Sequence, residues 1–410
     1  MKWKVFKALA FGARNMQVFN LFKAFAKNSL SSCYWGLYII KSWAYIRVLG
    51  QRKFVLENMQ PDSYARHLLW LIPWHKLENI KIKNVWLTPA VLASINRSLT
   101  TKYSKIKNLS LPWCCLTNKS LGILLFEIKS NQSLTFLDLS HNEICGEVNK
   151  PFSFLLQMDG SVIETLILDS NELLQKKFLH ILALILTYPG NTLKHISLRE
   201  TIVKNPPQIT RYNASLTQGF ELFADILKFS SVNIENLYLD SNKLEQYNCG
   251  YWLANLICET TPGRIGAISL QNNALSKTTI SKLLTATTNP NSAIAALDLS
   301  YNKINTIESF KIDAPQMSSL RSLSIIGCFP RAILEQVIIW ITNKFRALEQ
   351  LEVDAAYCKD LAWSMTQSTK QQKPLIFLKS INQKAPSTNH LAHPNPTIQL
   401  KAGNKRSCFI

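Results

Sequence analysis

Acidic residues are missing from both ends of this chain. Residues 1–56 hold ten Lys/Arg and no Asp or Glu, and residues 361–410 hold seven Lys/Arg and again no acid. The whole chain carries 46 Lys/Arg against 26 Asp/Glu, so its body keeps 46 − 17 = 29 basic against 26 acidic groups. A body this close to neutral argues against a nucleic-acid binder, which carries a basic face on the fold itself. Catalytic signatures are absent too. There is no G-x-x-x-x-G-K-[ST] loop to cradle a phosphate, no G-x-S-x-G and no H-E-x-x-H. His390-x-x-His393 lacks a third ligand, so no metal site is expected. No nucleophile stands with a base, and the chain reads as non-enzymatic, with no cofactor. Its nine cysteines contain no C-x-x-C pair, and an odd, scattered set suits reduced thiols in a cytoplasmic setting. Long apolar runs are also lacking. Arg14 interrupts the first one too early for a secretory signal, and the thirteen uncharged residues between Lys27 and Lys41 are too few to cross a bilayer.

What the chain does have is a repeated unit. In Leu134-Thr-Phe-Leu137-Asp-Leu139-Ser-His-Asn142-Glu-Ile144 the apolar residues fall at positions one, four, six and eleven, with asparagine at nine. The Leu137-x-Leu139 alternation predicts a strand with one buried face, and the asparagine a turn away from it. The same frame starts at Leu77, Ile106, Leu134, Ile163, Leu193, Ile234, Ile265, Ile294, Leu320 and Leu348, at spacings of 29, 28, 29, 30, 41, 31, 29, 26 and 28. One unit cannot bury its own apolar face, so stacking of neighbours is implied.

This pattern resembles the leucine-rich repeat family, L-x-x-L-x-L-x-x-N/C-x-L, over residues 77 to about 358. Cys114 and Cys328 take the asparagine position, where the family tolerates cysteine. The connectors leave room for a helix, and helices are predicted over 118–129, 174–187, 216–229, 251–259, 277–287 and 331–345. In one of them Phe178, Ile181, Leu182 and Ile185 form a buried stripe. The length of the repeats resembles the ribonuclease-inhibitor-like branch. The resemblance implies an α/β solenoid, a horseshoe of about ten repeats with a concave parallel sheet and convex helices. In the 41-residue repeat, Asn205-Pro206-Pro207 is expected to break the chain and Ile209 to Asn213 to form an inserted loop. Asn108-Leu-Ser110 is a glycosylation sequon on a predicted strand, a place with no room for a glycan.

Three segments are expected: a basic, aromatic helical cap over 1–76, the repeats over 77–360, and a basic, mostly disordered tail over 361–410. In the first, Val18, Leu21, Phe22 and Phe25 form a stripe with Lys23 and Lys27 opposite. That stripe suits an anionic membrane surface, a cap over the first repeat, or an organelle presequence. Cys408 stands third from the end, one residue out of frame for prenylation, which leaves S-acylation or no modification. A helical segment before leucine-rich repeats also resembles F-box proteins, which recruit ubiquitin ligases, although their Leu-Pro opening is missing here. The Lys/Asn/Ile-rich composition resembles host-directed effectors of intracellular bacteria, which act in the host cytosol.

The residues flanking each buried strand pair face the concave side. They include the carboxylates Asp138, Asp169, Asp240, Asp298, Glu352 and Asp354, with Phe136 and Tyr238 as apolar anchors. The reading is a monomeric interaction scaffold binding a basic segment of a protein partner there. A solvated sheet face without a dedicated partner stays open, as do a peripheral membrane protein docked by residues 1–56 and a ubiquitin-ligase substrate adaptor.

Overall fold

The computed structural model describes residues 52–58, 72, 74–100, 104–128, 131–145, 162–188, 190–202, 209–229, 233–259, 265–304, 318–345, 347–354 and 375–379. The chain forms two compact units, Met1–Leu166 and Ile167–Ile410. In the first, β1 (Lys53–Glu57), β2 (Asn79–Lys83), β3 (Asn108–Ser110) and β4 (Phe136–Asp138) pair in parallel in chain order. Helix α1 (Pro89–Thr100) follows β2 and α2 (Asn118–Ile128) follows β3. The strand β5 (Thr165–Ile167) lies at the division.

The second unit continues the alternation with α3 (Lys176–Thr187), β6 (His195–Ser197), α4 (Ile209–Phe229), β7 (Ile234–Tyr238), α5 (Cys249–Glu259), β8 (Ile265–Ser269), α6 (Lys277–Ala286), β9 (Ala296–Asp298), β10 (Ser322–Ser324), α7 (Arg331–Lys344), β11 (Gln350–Asp354) and β12 (Leu375–Lys379). From β6 onward each strand pairs in parallel with the next. The fold is that of a leucine-rich α/β repeat solenoid, as the repeats predict.

The buried pair explains the register. Ile80, Leu109 and Leu137 are aligned across β2 to β4, and Leu237, Ile268, Leu297, Leu323 and Leu351 across β7 to β11, all of them buried. Each leucine contributes about 1.5–3 kcal/mol of burial, and a slip of one residue would turn the whole set outward. Helices close the other side. In α3, Phe178, Leu182 and Ile185 are buried as expected, while Ile181 is only half-buried.

Four features depart from the sequence reading. Strand β1 precedes the first expected repeat and sets Phe54 and Leu56 beside Ile80 and Ile82. Strand β12 forms at the apolar patch Leu375 to Leu378, within the segment read as tail, and pairs its Ile376 with Leu351. A strand there satisfies N–H and C=O groups of β11 that would otherwise form an open edge. Helix α1 is an added element. Residues 209–213, expected as a loop, are the first turns of the 21-residue α4, so the long repeat spends its extra residues on helix. The stripe from Val18 to Lys27, most of the expected helical cap over 1–76, and Cys408 lie outside the described residues.

Gly219 shows how tightly the helices approach. A Cβ there would sit 2.7 Å from Lys176 Cα and 3.2 Å from Leu179 Cδ1 of α3. Gly219→Ala is therefore expected to destabilise the protein by about 1–2 kcal/mol, because the overpacking exceeds alanine's gain in helix propensity. A chemical-denaturation midpoint equal to or above wild type would show that α3 yields.

Candidate functional site

The turn after each strand is the frame on which any surface residue sits. Position eight is left-handed in every described repeat: Asn58, Asn84, Trp113, His141, Ser170, Glu200, Ser241, Asn272, Tyr301 and Gly327 all have φ between 51° and 66°. The reversal drops the position-nine side chain into the core. There Asn302 accepts from the N–H of Asn273 (2.9 Å) and of Leu275 (3.0 Å). Its amide donates to the carbonyls of Leu270 (2.9 Å) and Leu299 (2.7 Å). Asn142 makes the same set of bonds to Cys114, Leu116, Leu111 and Leu139. Where cysteine replaces asparagine, the thiol supplies one donor: Cys114 Sγ to Ile82 O at 3.2 Å and Cys328 Sγ to Leu299 O at 2.9 Å. Burial raises the pKa of the Cys114 thiol far above its ordinary value.

On this frame the outward strand positions carry the expected carboxylates, and most are engaged within the fold. Asp138 is 1% exposed, with one oxygen taking Ser110 Oγ (2.8 Å) and the other taking Ser140 N (3.0 Å) and Ser140 Oγ (2.7 Å). It locks its own turn and the neighbouring strand. Phe136 beside it is half-buried. Asp298 accepts from Ser300 N at 2.9 Å and from the Gln271 side chain. Burial raises its pKa, with the bonds from Ser300 pulling the other way. Glu352 is half-buried and takes Ser324 Oγ and Gln350 Nε2, each at 3.1 Å. Asp354 closes β11, and its side chain is outside the description.

The densest group was not singled out from sequence. Arg199 stands between Asp169 and Asp240, with Nε 2.6 Å from Asp240 Oδ2 and Nη1 4.0 Å from Asp169 Oδ2. Its guanidinium lies 4.3 Å from the centre of the Tyr238 ring. Burial works against the Arg199 charge, yet the two aspartates more than offset it and raise its pKa. Burial likewise raises that of Tyr238. Each aspartate also binds across to the next strand. Asp169 takes Ser197 Oγ (2.5 Å) and Arg199 N (3.0 Å), and Asp240 takes Ser269 Oγ (2.5 Å) and Gln271 N (2.9 Å). The signal was available, since all three residues occupy position seven of successive units. Beside them His195 Nδ1 meets Asn236 Nδ2 at 2.7 Å, and its Nε2 is 3.6 Å from Glu235.

The raised pKa of Asp298 fixes the sign of a pH effect. Its folded form binds the proton more tightly than the unfolded chain does, so Asp298 detracts from stability as pH rises through its folded-state titration. Asp298→Asn should leave stability at neutral pH equal or higher and should flatten that part of the stability–pH curve. Thermal melts across pH in which the variant loses stability at neutral pH would contradict this.

Two further residues went unnoticed in the sequence. Trp86 is 59% and Trp113 41% exposed, in turns where polar residues would be expected. His141 is half-buried and stacks on Trp113 at 4.3 Å and 10°. Among the described residues no cluster of three His, Cys, Asp or Glu could hold a metal ion. No helix among them is long and apolar enough to cross a membrane.

No family model matches the chain. No curated protein matches it either. Among solved structures, a crystal structure of the Rad7 and Elc1 complex in yeast is similar at TM-score 0.39 and 14% identity, over 86% of this chain and 89% of that one. The strands and registers of the chain itself carry the fold assignment.

Proposed function

We propose that the chain is a non-enzymatic interaction scaffold, and that the outward sheet face of its second unit receives a basic segment of a protein partner. The observation behind this reading is the charge of that face. At the outward positions from Ile167 to Glu352, Asp169, Asp240, Asp298 and Glu352 stand against Arg199 as the one Lys or Arg among the described residues, and Lys379 of β12 follows in register with Asp354. The half-buried Ile167 and Tyr238 offer apolar contact, while Ala267 and Ala296 leave the strand backbone approachable. The hydrogen bonds that hold Asp240 and Asp298 also fix them in place, so a partner's cations would meet preorganised charge. Asp169 and Glu352, each only half-buried, are the carboxylates that would pair directly.

The test is affinity capture from lysate with the full chain beside a variant carrying Ile167→Ser, Tyr238→Ser and Glu352→Gln. A partner held by the wild type, released by salt and lost by the variant supports the reading. Equal capture of that partner by both baits would remove this face as its site.

A further inference from the structure

We propose that Arg199 makes the outward face selective: the basic segment received there carries a neutral oxygen acceptor, such as an asparagine side chain, opposite Arg199 and close to the cation that meets Asp169. This inference rests on the reading of that face as the site of a basic segment, and it concerns which segment is taken.

A guanidinium is all donor and accepts nothing. In Arg199 the Nε donates to Asp240 Oδ2 at 2.6 Å, while Nη1 stands 4.0 Å from Asp169 Oδ2, beyond hydrogen-bond reach. Among the described residues no other acceptor meets either Nη. The side chain is 21% exposed, so water can answer these N–H groups while the face is open. A partner lying over the face displaces that water, and a buried donor left unmet is costly. The segment must therefore bring an acceptor. The position is also held ready. The Nε bond and the Tyr238 ring, 4.3 Å away, fix the guanidinium, so little side-chain entropy is lost on docking.

Charge narrows the choice. A lysine or arginine opposite Arg199 meets a like charge. A carboxylate meets Asp169 and Asp240, which already outnumber the guanidinium between them. A neutral amide oxygen meets neither objection. Spacing then places it, since Asp169 and Arg199 follow neighbouring strands of the sheet. Such strands lie about 4.8 Å apart and an extended chain advances about 3.3 Å per residue, so cation and acceptor fall roughly one or two residues apart.

The test is binding of the full chain to an array of synthetic peptides, Lys-Ala-x-Ala-Lys with x as Asn, Ala or Lys, beside Glu-Ala-x-Ala-Glu controls. Flanking lysines on both sides let either chain direction serve. Wild type is compared with Arg199→Met/Asp240→Asn, in which the guanidinium goes but the surplus negative charge of the cluster stays. Wild type should hold the Asn peptide roughly tenfold better than the Lys peptide, with Ala between them, and the double variant should lose most of that ratio. A wild-type ratio near one overturns the inference and leaves the basic-segment reading standing. So does a ratio unchanged in the double variant, whose folding is checked by thermal melting; if it is misfolded, the wild-type ratio alone decides. Glu-flanked peptides held as well as Lys-flanked ones, or no peptide held at all, would remove the basic-segment reading and this inference with it.

Discussion

Replacing Asn302 by alanine should lower stability by about 3–5 kcal/mol, because it orphans buried backbone groups rather than trimming one contact. Asn302 is fully buried, and its amide answers the N–H groups of Asn273 and Leu275 and the carbonyl of Leu270. Its other acceptor, Leu299 O, keeps a bond from the Cys328 thiol. The damage should spread beyond one unit, because repeats are stabilised largely through their neighbours. The melting temperature should fall by roughly 10 °C. Asn302→Cys should cost less, because a thiol at this position donates to the preceding strand, as Cys328 does. A melt of Asn302→Ala within about 2 °C of wild type would mean that water replaces the side chain and that the ladder holds nothing together.

Arg199→Met should be the second large effect, at about 2–4 kcal/mol. The Asp240 side chain is 8% exposed and the Arg199 side chain 21%, so removing the guanidinium leaves a largely desolvated carboxylate held by Ser269 and Gln271 alone. The loss therefore comes from the stranded charge more than from the contact with Tyr238. The double variant Arg199→Met/Asp240→Asn should then recover most of the stability. If the double variant is as unstable as the sum of the two single ones, the pair is not coupled and Arg199 acts through its packing.

The framework of these effects was legible in the sequence, and the chemistry on it less so. Position nine announces itself because asparagine answers backbone groups of two repeats at once, whereas Thr201 and Cys328 each supply one donor, to Leu198 O and Leu299 O. Position eight was hidden. Trp113, Glu200 and Tyr301 are poor choices for a left-handed turn, and only the stack of neighbours imposes it. The end strands were hidden for another reason. Phe54 and Leu56 fill their places, but Gln51 and Met59 occupy positions one and nine, and the patch at 375–378 stands in Lys- and Gln-rich surroundings. Pro206-Pro207 was read as a break, although proline favours a helix start and α4 begins just beyond.

The aspartates illustrate both sides. Their outward placement follows from strand periodicity. Their satisfaction by serine and arginine depends on pairing like positions in successive units, as with Ser110 and Asp138 or Asp169, Arg199 and Asp240. Carboxylates that a single repeat presents as a free surface are therefore partly the fold's own cross-links.

The most direct test of the proposed outward face is carboxyl-group footprinting of the full chain with and without the captured partner. The account predicts that labelling of Asp169 and Glu352 falls on binding while that of Glu335, exposed on α7, is unchanged. Protection of Glu335, with Asp169 and Glu352 labelled as in the free protein, would place the partner on the helices and contradict it.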